Sequence, residues 1–331
     1  MPLPASGQIT LNQVNVELGI SGTTQRGLGD STTRTLFDVA SGQIAMSNGY
    51  GKANTFTLNI SSHTADVNVS SAATAAGWDG SVELFVNIAS SVYCYATSLA
   101  ATTGQGLLVN TACTVTNSGY IIGKGGRGGG RNWPNHGGTA IRITASGVVV
   151  VNNSGAYIAG GGGGGNGSYG GGGAGGGERH YGGGEGAAGQ SGADGNNGVN
   201  AYYQGKGGGT GGGAGGSDSA RTTSNIGYGG GGGRIINGTG GAGGSGGVGK
   251  GGDGGSGNSI GQGGSGPPGQ ATVWQRQTSG GGGGWAALGG FENGIDGVGP
   301  PWDMAGGNGG AAIIKTTSYS LTNNGTIYGA T

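Results

Sequence analysis

The 331-residue chain contains 94 glycines, and its 14 basic residues balance 14 acidic ones. This balance argues against a nucleic-acid-binding chain, and no apolar stretch is long enough to predict membrane insertion. Apolar residues make up 32% of the chain, too few for a conventional core of this size. Hydrogen bonds between backbones must therefore carry an unusual share of the stability, although each contributes only about 0.5–1.5 kcal/mol.

Residues 1–52 are predicted to form a small module with an internal sequence repeat, because Ser-Gly-Gln-Ile occurs at 6–9 and again at 41–44. Thr10 is predicted to cap a helix that carries Leu11, Val14 and Leu18 on one face and ends at Gly19. Ser31 is predicted to cap a second short helix. The first residues of the chain lack a basic region and a long apolar stretch, so no signal peptide is predicted and synthesis in a cytoplasm is expected.

The sequence of 6–19, together with that of 41–52, resembles the start of many bacteriophage tail and tail-fibre proteins. That resemblance implies a module that attaches the protein to other phage tail or fibre proteins. It covers about 50 residues, and the small core of such a module favours contact with a partner.

Residues 53–112 alternate apolar and polar side chains, with β-branched residues in the apolar positions. A period of two predicts half-buried antiparallel strands. Residues 72–77 are predicted to form one helical turn, and His63 and Trp78 are expected to be packing or surface residues. Cys94 and Cys113 lie in strand-like apolar runs and are predicted to be buried thiols, with a disulfide left open.

A strand-turn-strand unit occurs three times, at 115–123, 151–160 and 321–329. Each copy has an Asn/Ser-Gly turn followed by an isoleucine-containing strand. The first two copies lead directly into glycine runs, and the third ends the printed sequence. A disordered linker has no reason to be framed by repeated units of this kind, so they favour a folded glycine region joined to a β platform.

The stretch from Gly123 to Gly310 holds 79 of the 94 glycines. A disordered linker is the alternative interpretation. The folded interpretation is a bundle of polyproline-II helices, whose outward N–H and C=O groups can bond to neighbouring helices where only glycine lies between them. The sequence thus predicts a mainly β fold with a glycine-rich bundle of polyproline-II helices and a small helical N-terminal module. The predicted domains are 1–52 for attachment, 53–122 as a β-rich domain, and 123–331 as the glycine-rich domain.

The same features resemble the adhesins at the tip of the long tail fibres of T-even-like phages, over roughly residues 105–331. The resemblance is carried by 120–129, 150–165, 309–312 and 324–329, in that order. It implies a sandwich of packed polyglycine-II helices that binds a bacterial receptor. Those adhesins begin with a different module that clasps a trimeric fibre, whereas 1–52 here looks like a direct virion module.

Short segments rich in aromatic, charged and amide residues interrupt the glycine runs, and four of the five tryptophans lie in them. Exposed aromatic residues on rigid supports are common anchors of recognition. The predicted receptor-binding residues are Trp133, His136, Tyr169, Tyr181, Tyr202, Tyr203, Trp274, Trp285, Phe291 and Trp302. Covering the edge of the glycine lattice is the alternative role for each ring.

Three functions compete: an adhesin that binds an outer-membrane protein or surface glycan, a structural tail or baseplate component with a rigid glycine spacer or plug, and a polysaccharide-degrading enzyme. The loop aromatics favour the adhesin. No pair of carboxylates can be placed at the spacing a glycosidase needs, so no enzyme activity is predicted. No cofactor, metal or nucleic-acid partner is predicted, the expected location is the phage tail, and a homotrimer is left open.

Overall fold

The computed structural model describes residues 2–97, 105–126, 136–165, 282–289 and 306–331, and the backbone of six short strand segments between 179 and 295. The described part is mostly β, which confirms the predicted mainly β class. The helices are α1 (Leu11–Glu17), α2 (Ser31–Phe37) and α3 (Val69–Ala75), with a 3₁₀ turn at Met46–Gly49. The strands are β1 (Thr55–Ile60), β2 (Thr64–Ala65), β3 (Val67–Asn68), β4 (Glu83–Ile88), β5 (Tyr93–Tyr95), β6 (Gln105–Val109), β7 (Thr114–Asn117), β8 (Tyr120–Ile122), β9 (Thr139–Ile143), β10 (Val148–Asn152), β11 (Tyr157–Ala159), β12 (Arg179–His180), β13 (Gly183–Gly184), β14 (Gly216–Ser217), β15 (Ile226–Tyr228), β16 (Arg276–Thr278), β17 (Asn293–Ile295), β18 (Ile313–Lys315), β19 (Tyr319–Asn323) and β20 (Thr326–Tyr328).

The N-terminal module begins with a capped helix, as predicted. The backbone N–H of Gln13 donates to Thr10 Oγ1 at 3.3 Å, and Thr10 N–H donates back to Gln13 Oε1 at 2.8 Å. Gly19 follows the helix with a φ of +72°, a conformation that glycine adopts without strain. The second helix differs from the prediction, because Asp30 rather than Ser31 is its N-cap. The Asp30 carboxylate accepts from the N–H of Gly27 at 3.2 Å instead of capping the helix.

A separate apolar core holds this module together. It consists of the buried residues Leu3, Ile9, Val14, Leu36 and Phe37. The start and end of the module meet, since Leu3 N–H donates to the carbonyl of Lys52 at 2.8 Å. The module therefore folds around its own small core next to the rest of the chain.

Fourteen strands, β1–β11 and β18–β20, wind into a parallel β-solenoid with three faces, and one coil is one circuit of these faces. Face A has the strand order β1-β4-β7-β10-β19, face B has β2-β5-β8-β11-β20, and face C has β18-β9-β6-β3. Every pairing within these faces is parallel, and each strand pairs with strands one coil away. The predicted antiparallel pairing of 53–112 is therefore wrong. Strand alternation has a period of two in both arrangements, so the sequence pattern did not distinguish them.

The solenoid does not stop at the predicted boundary between residues 122 and 123. Its third and fourth coils continue through 139–159, and its last strands lie at 313–328. The three repeated strand-turn units are β7-β8, β10-β11 and β19-β20, stacked on one another in register. The repeated units are thus successive coils of one solenoid, and the glycine-rich stretch is inserted into the fourth coil.

Side chains of alternate strand residues fill the solenoid. The core includes Leu84 and Val86 from face A, Ile121 and Ile158 from face B, and Ile141 from face C, each fully buried. Burying such a side chain contributes about 1.5–3 kcal/mol. Helix α3 adds Val69 and Ala73 to the same core, beside the first coil.

The connections between faces B and C lengthen from coil to coil. They are residue 66 alone in the first coil, 96–104 in the second, 123–138 in the third and 160–312 in the fourth. All of them leave the solenoid at the same corner. The glycine-rich stretch is therefore the longest of a series of insertions at this corner, beside shorter ones from the preceding coils.

Candidate functional site

Five glycine-rich segments meet at this corner without forming strands, and together we call them the glycine lattice. We number them in chain order: the first is 123–126, the second 136–138, the third 160–165, the fourth 282–289 and the fifth 306–310. Their backbones bond to one another. Gly126 N–H donates to the carbonyl of Gly162 at 2.7 Å, and Gly310 N–H donates to that of Gly161 at 2.7 Å.

The third segment is surrounded by the other four. It bonds to the first and fifth as above, and Gly161 N–H donates to the carbonyl of Gly138 in the second at 2.9 Å. Gly163 N–H donates to Ala287 in the fourth at 2.8 Å. Its residues are buried. Backbone groups that have no strand partner are thus paired between segments, as buried polar groups require.

The absence of side chains is what allows these backbones to approach. A Cβ placed on Gly160 or Gly163 would lie 2.0 or 1.6 Å from a carbonyl oxygen of the fifth segment. One on Gly161 would lie 1.9 Å from the first segment, and one on Gly162 would lie 2.1 Å from the fourth. Gly160, Gly161 and Gly162 therefore each face a different segment, and Gly163, three residues after Gly160, faces the fifth segment again.

The directions of the segments follow from their bonds. The first and third segments run away from the solenoid, since β8 and β11 lead into them. The second and fifth run back towards it and lead into β9 and β18. The fourth segment approaches the solenoid, turns at Trp285 and Ala286, and runs away from it again. At the turn, Ala286 N–H donates at 2.9 Å to the carbonyl of Gly160, the first residue after β11. Beyond the turn, Gly289 N–H donates at 2.8 Å to the carbonyl of Gly307, which lies further from the solenoid strands along the fifth segment.

Apolar contact between the segments and the solenoid is concentrated on the outer side of face B. Trp285 is fully buried there in a cluster with Ile122, Tyr157 and Ala159. Its ring centroid lies 6.4 Å from that of Tyr157. Burial also raises the pKa of Tyr328, which packs against this cluster.

The aromatic cluster extends along face B as a stack of tyrosines. The Tyr157 ring lies 4.3 Å from that of Tyr120, which lies 4.8 Å from that of Tyr93. His63 meets Tyr93 edge-on at 5.1 Å. Tyr120 and Tyr157 are not among the predicted site residues, although both open the second strand of a repeated unit, and that shared position is the signal that the sequence offers.

Lys124 is a second residue that sequence analysis missed. It is buried, and its Nζ donates to the carbonyl of Thr97 at 2.6 Å. Thr97 in turn bonds to Asp66 through its N–H, at 2.9 Å, and its hydroxyl. Three corner insertions are thereby linked through polar contacts, and apart from His136 the described glycine segments carry no other ionisable side chain.

Of the ten predicted receptor-binding residues, the structure describes two. His136 is exposed, and its Nδ1 accepts a hydrogen bond from the N–H of Asn308 at 2.8 Å. Trp285 is fully buried, so its prediction as a receptor contact is wrong in this structure: the glycine turn that carries it faces the solenoid. The other eight lie outside the described residues: Trp133, Tyr169, Tyr181, Tyr202, Tyr203, Trp274, Phe291 and Trp302.

The N-terminal module presents a different surface. Val16 is 59% exposed and Tyr50 41% exposed. A shallow cleft beside Leu11 is lined by Thr24, Arg26 and other polar residues. The module touches the solenoid through Glu17, whose Oε1 accepts from the N–H of Asn54 at 2.8 Å.

The described residues include no group of three His, Cys, Asp or Glu that could hold a metal ion. None of their helices is long and apolar enough to cross a membrane.

Cys94 and Cys113 are free buried thiols, as predicted, and burial raises the pKa of each to about 12.

A fold of stacked parallel coils belongs to the repeat-built, solenoid class of proteins. The family described as Phage tail fibre adhesin Gp38 matches residues 55–228, more than half of the chain. The chain therefore belongs to this family of phage tail fibre adhesins, as the resemblance predicted.

In structure, the chain is similar to the crystal structure of the gp37-gp38 adhesin tip complex of the bacteriophage S16 long tail fiber. The TM-score is 0.40 and the identity 18%, over 91% of each chain. At this level the similarity adds nothing to the family assignment. No curated protein matches the chain at a significant level.

Proposed function

We propose that the chain binds a bacterial surface receptor, either an outer-membrane protein or a surface glycan, and so attaches the phage to its host. Membership of the adhesin family supports this function. The observation that carries it is the arrangement of the glycine segments. Segments that leave the solenoid precede aromatic-rich stretches of sequence, and the paired segments return from them.

The glycine segments are, in this proposal, the base of a polyglycine-II sandwich. A polyproline-II helix has about three residues per turn and no internal hydrogen bonds. Two features support the assignment: the bonds run between segments, and positions three apart face the same neighbour. Such a lattice is rigid because each backbone is held from several sides.

The recognition residues are proposed to lie in the stretches between segments. Trp133 is the first candidate, because the described first and second segments flank its stretch at 127–135 on an outgoing and a returning path. His136 stands at the start of the return and is already exposed. The remaining proposed contacts are Tyr169, Tyr181, Tyr202, Tyr203, Trp274, Phe291 and Trp302.

An alanine panel tests this proposal. The purified full chain and each variant would be titrated onto cells of a panel of bacterial strains, and melting temperatures measured in parallel. Replacing a true anchor should weaken binding at least about thirtyfold, which corresponds to about 2 kcal/mol, at an unchanged melting temperature. Trp78→Ala is the matched control: Trp78 is 9% exposed and bonded to the solenoid backbone, so it should lower the melting temperature but leave binding intact. If every panel variant binds normally, the glycine lattice is a spacer or plug.

Residues 1–52 are proposed to join the adhesin to other tail or fibre proteins. Their separate core and the exposed Val16, Leu11 and Tyr50 support a contact surface of their own. The paired variants Val16→Asp and Thr57→Asp test it: Thr57 is exposed on the solenoid and serves as the control. Val16→Asp should reduce incorporation into phage particles while Thr57→Asp does not. Equal incorporation would place the attachment surface elsewhere.

The proposed activity is binding without cleavage. Prolonged incubation with purified surface polysaccharide should release no reducing ends. Release that persists across independent preparations would make the protein a depolymerase instead.

A further inference from the structure

The turn at Trp285 is the point where the fourth glycine segment comes closest to the solenoid. Ala287 N–H donates to the carbonyl of Gly284 at 3.1 Å, which closes a four-residue turn. Ala286 has a φ of +52°, a conformation that side chains with a Cβ rarely adopt. The turn is held in place by the bond from Ala286 to Gly160.

This turn contains a second unfavourable feature. Trp285 Nε1 is buried and has no hydrogen-bond partner among the residues that the structure describes. Unpaired buried donors are rare, and one that persists calls for a reason. A strained residue next to a donor without a partner indicates that burial of the indole ring stabilises the turn enough to offset both costs.

The ring's surroundings supply that reason. The glycines of these segments have no side chains, so they bury little apolar area against the solenoid. In the described part of the fourth segment, Trp285 is the one aromatic side chain, and it covers Ile122, Tyr157 and Ala159 on face B. The tyrosine stack continues this apolar surface along the solenoid.

We propose that Trp285 is a positioning residue, which sets the orientation of the glycine lattice relative to the solenoid by seating its indole on the aromatic outer surface of face B. The proposal rests on the proposed function, because it makes Trp285 act on recognition without touching the receptor. Hydrogen bonds between glycine segments hold the lattice together. The indole holds the lattice against the solenoid.

The test uses the full chain with Trp285→Ala and the conservative variant Trp285→Phe. Spin labels on the substitutions Ser61→Cys and Asn308→Cys, both at exposed positions, report the distance between solenoid and lattice. Cys94 and Cys113 are buried thiols with a pKa raised to about 12, so they should not take up the label. We expect a single narrow distance distribution in the wild type, a broad one in Trp285→Ala, and recovery of the narrow one in Trp285→Phe.

Amide hydrogen exchange distinguishes positioning from a general structural role. In Trp285→Ala, 282–289 should exchange about tenfold faster or more, while 160–163 keeps its protection through bonds to the other segments. Trp78→Phe, a buried tryptophan in the solenoid, should change neither the distances nor the exchange of 282–289.

The proposal is overturned by an unchanged distance distribution in Trp285→Ala, or by a broad one that Trp285→Phe fails to restore. It is also overturned if 160–163 loses protection together with 282–289, since Trp285 would then hold the lattice itself. Neither readout involves a receptor, so failure here leaves the alanine panel's test of receptor binding unaffected.

Discussion

Replacing Asn152 by alanine should destabilise the solenoid through a buried ladder of asparagines. Asn117, Asn152 and Asn323 stack in register at the corner between faces A and B. Asn117 Nδ2 donates to Asn152 Oδ1 at 2.9 Å, and Asn152 Nδ2 donates to Asn323 Oδ1 at 2.8 Å. Asn152 Nδ2 also donates to the carbonyl of Thr326 at 3.2 Å.

The magnitude follows from these three hydrogen bonds. Asn152 and Asn117 are both fully buried, so water does not replace the lost partners at the centre of the ladder. At about 0.5–1.5 kcal/mol for each bond, Asn152→Ala should lower the free energy of unfolding by about 1.5–4.5 kcal/mol. Asn117 keeps its bond to the carbonyl of Tyr157, which limits the loss on that side.

The same face contains a matched control. Asn87 Nδ2 donates to Asn59 Oδ1 at 3.3 Å, but both side chains are exposed. Asn87→Ala should therefore cost less than about 0.5 kcal/mol, as is usual for surface substitutions. Urea unfolding followed by tryptophan fluorescence would measure both variants. Equal losses would refute the argument, because burial of the ladder would then have no effect.

Four further predictions concern Gly161, the two cysteines and Thr10. Gly161→Ala should disrupt the lattice and speed amide hydrogen exchange of 160–165, because the new Cβ would lie 1.9 Å from a carbonyl oxygen. Gly29→Ala, which has open space around it, should leave that exchange unchanged. Equal exchange in both variants would contradict the close approach. Cys94 and Cys113, whose pKa is raised to about 12, should resist thiol reagents at pH 8 until urea unfolds the chain, and labelling of the folded chain would show that they are accessible. Because the raised pKa keeps these thiols neutral in the fold, their contribution to stability should be lost as pH rises from about 9 towards 12. Thr10→Ala should cost about 0.5–2 kcal/mol by removing the cap of the first helix, and no change in melting temperature would place the stability of this module elsewhere.

Local signals in the sequence predicted local structure well. The Thr10 cap and the glycine after the first helix were confirmed because each depends on residues only a few positions apart. The repeated Asn-Gly units were confirmed as strand-turn-strand elements for the same reason. Ser31 was wrong by one residue, because an Asp and a Ser side by side are both good N-caps.

The direction of strand pairing could not be predicted from the alternation of residues. The register between copies was also hidden, because the second unit has one more residue between its ladder asparagine and its glycine than the first, at 152–155 against 117–119. Trp285 illustrates a further limit. An aromatic residue between glycine runs has the same sequence context whether it faces a receptor or the solenoid, and only the turn at Ala286 decides between them.

The place of the insertion explains how one chain can combine a solenoid with a glycine lattice. A solenoid strand pairs with the coils before and after it, so a corner can lengthen without changing the pairing of either neighbour. Residue 66 and the insertion at 160–312 occupy the same corner in different coils, which shows how little the faces depend on its length. Glycine segments can then satisfy their backbone groups among themselves, without needing a second apolar core. Under the proposed function, this separation lets the residues that meet the receptor change while the body that carries them stays the same.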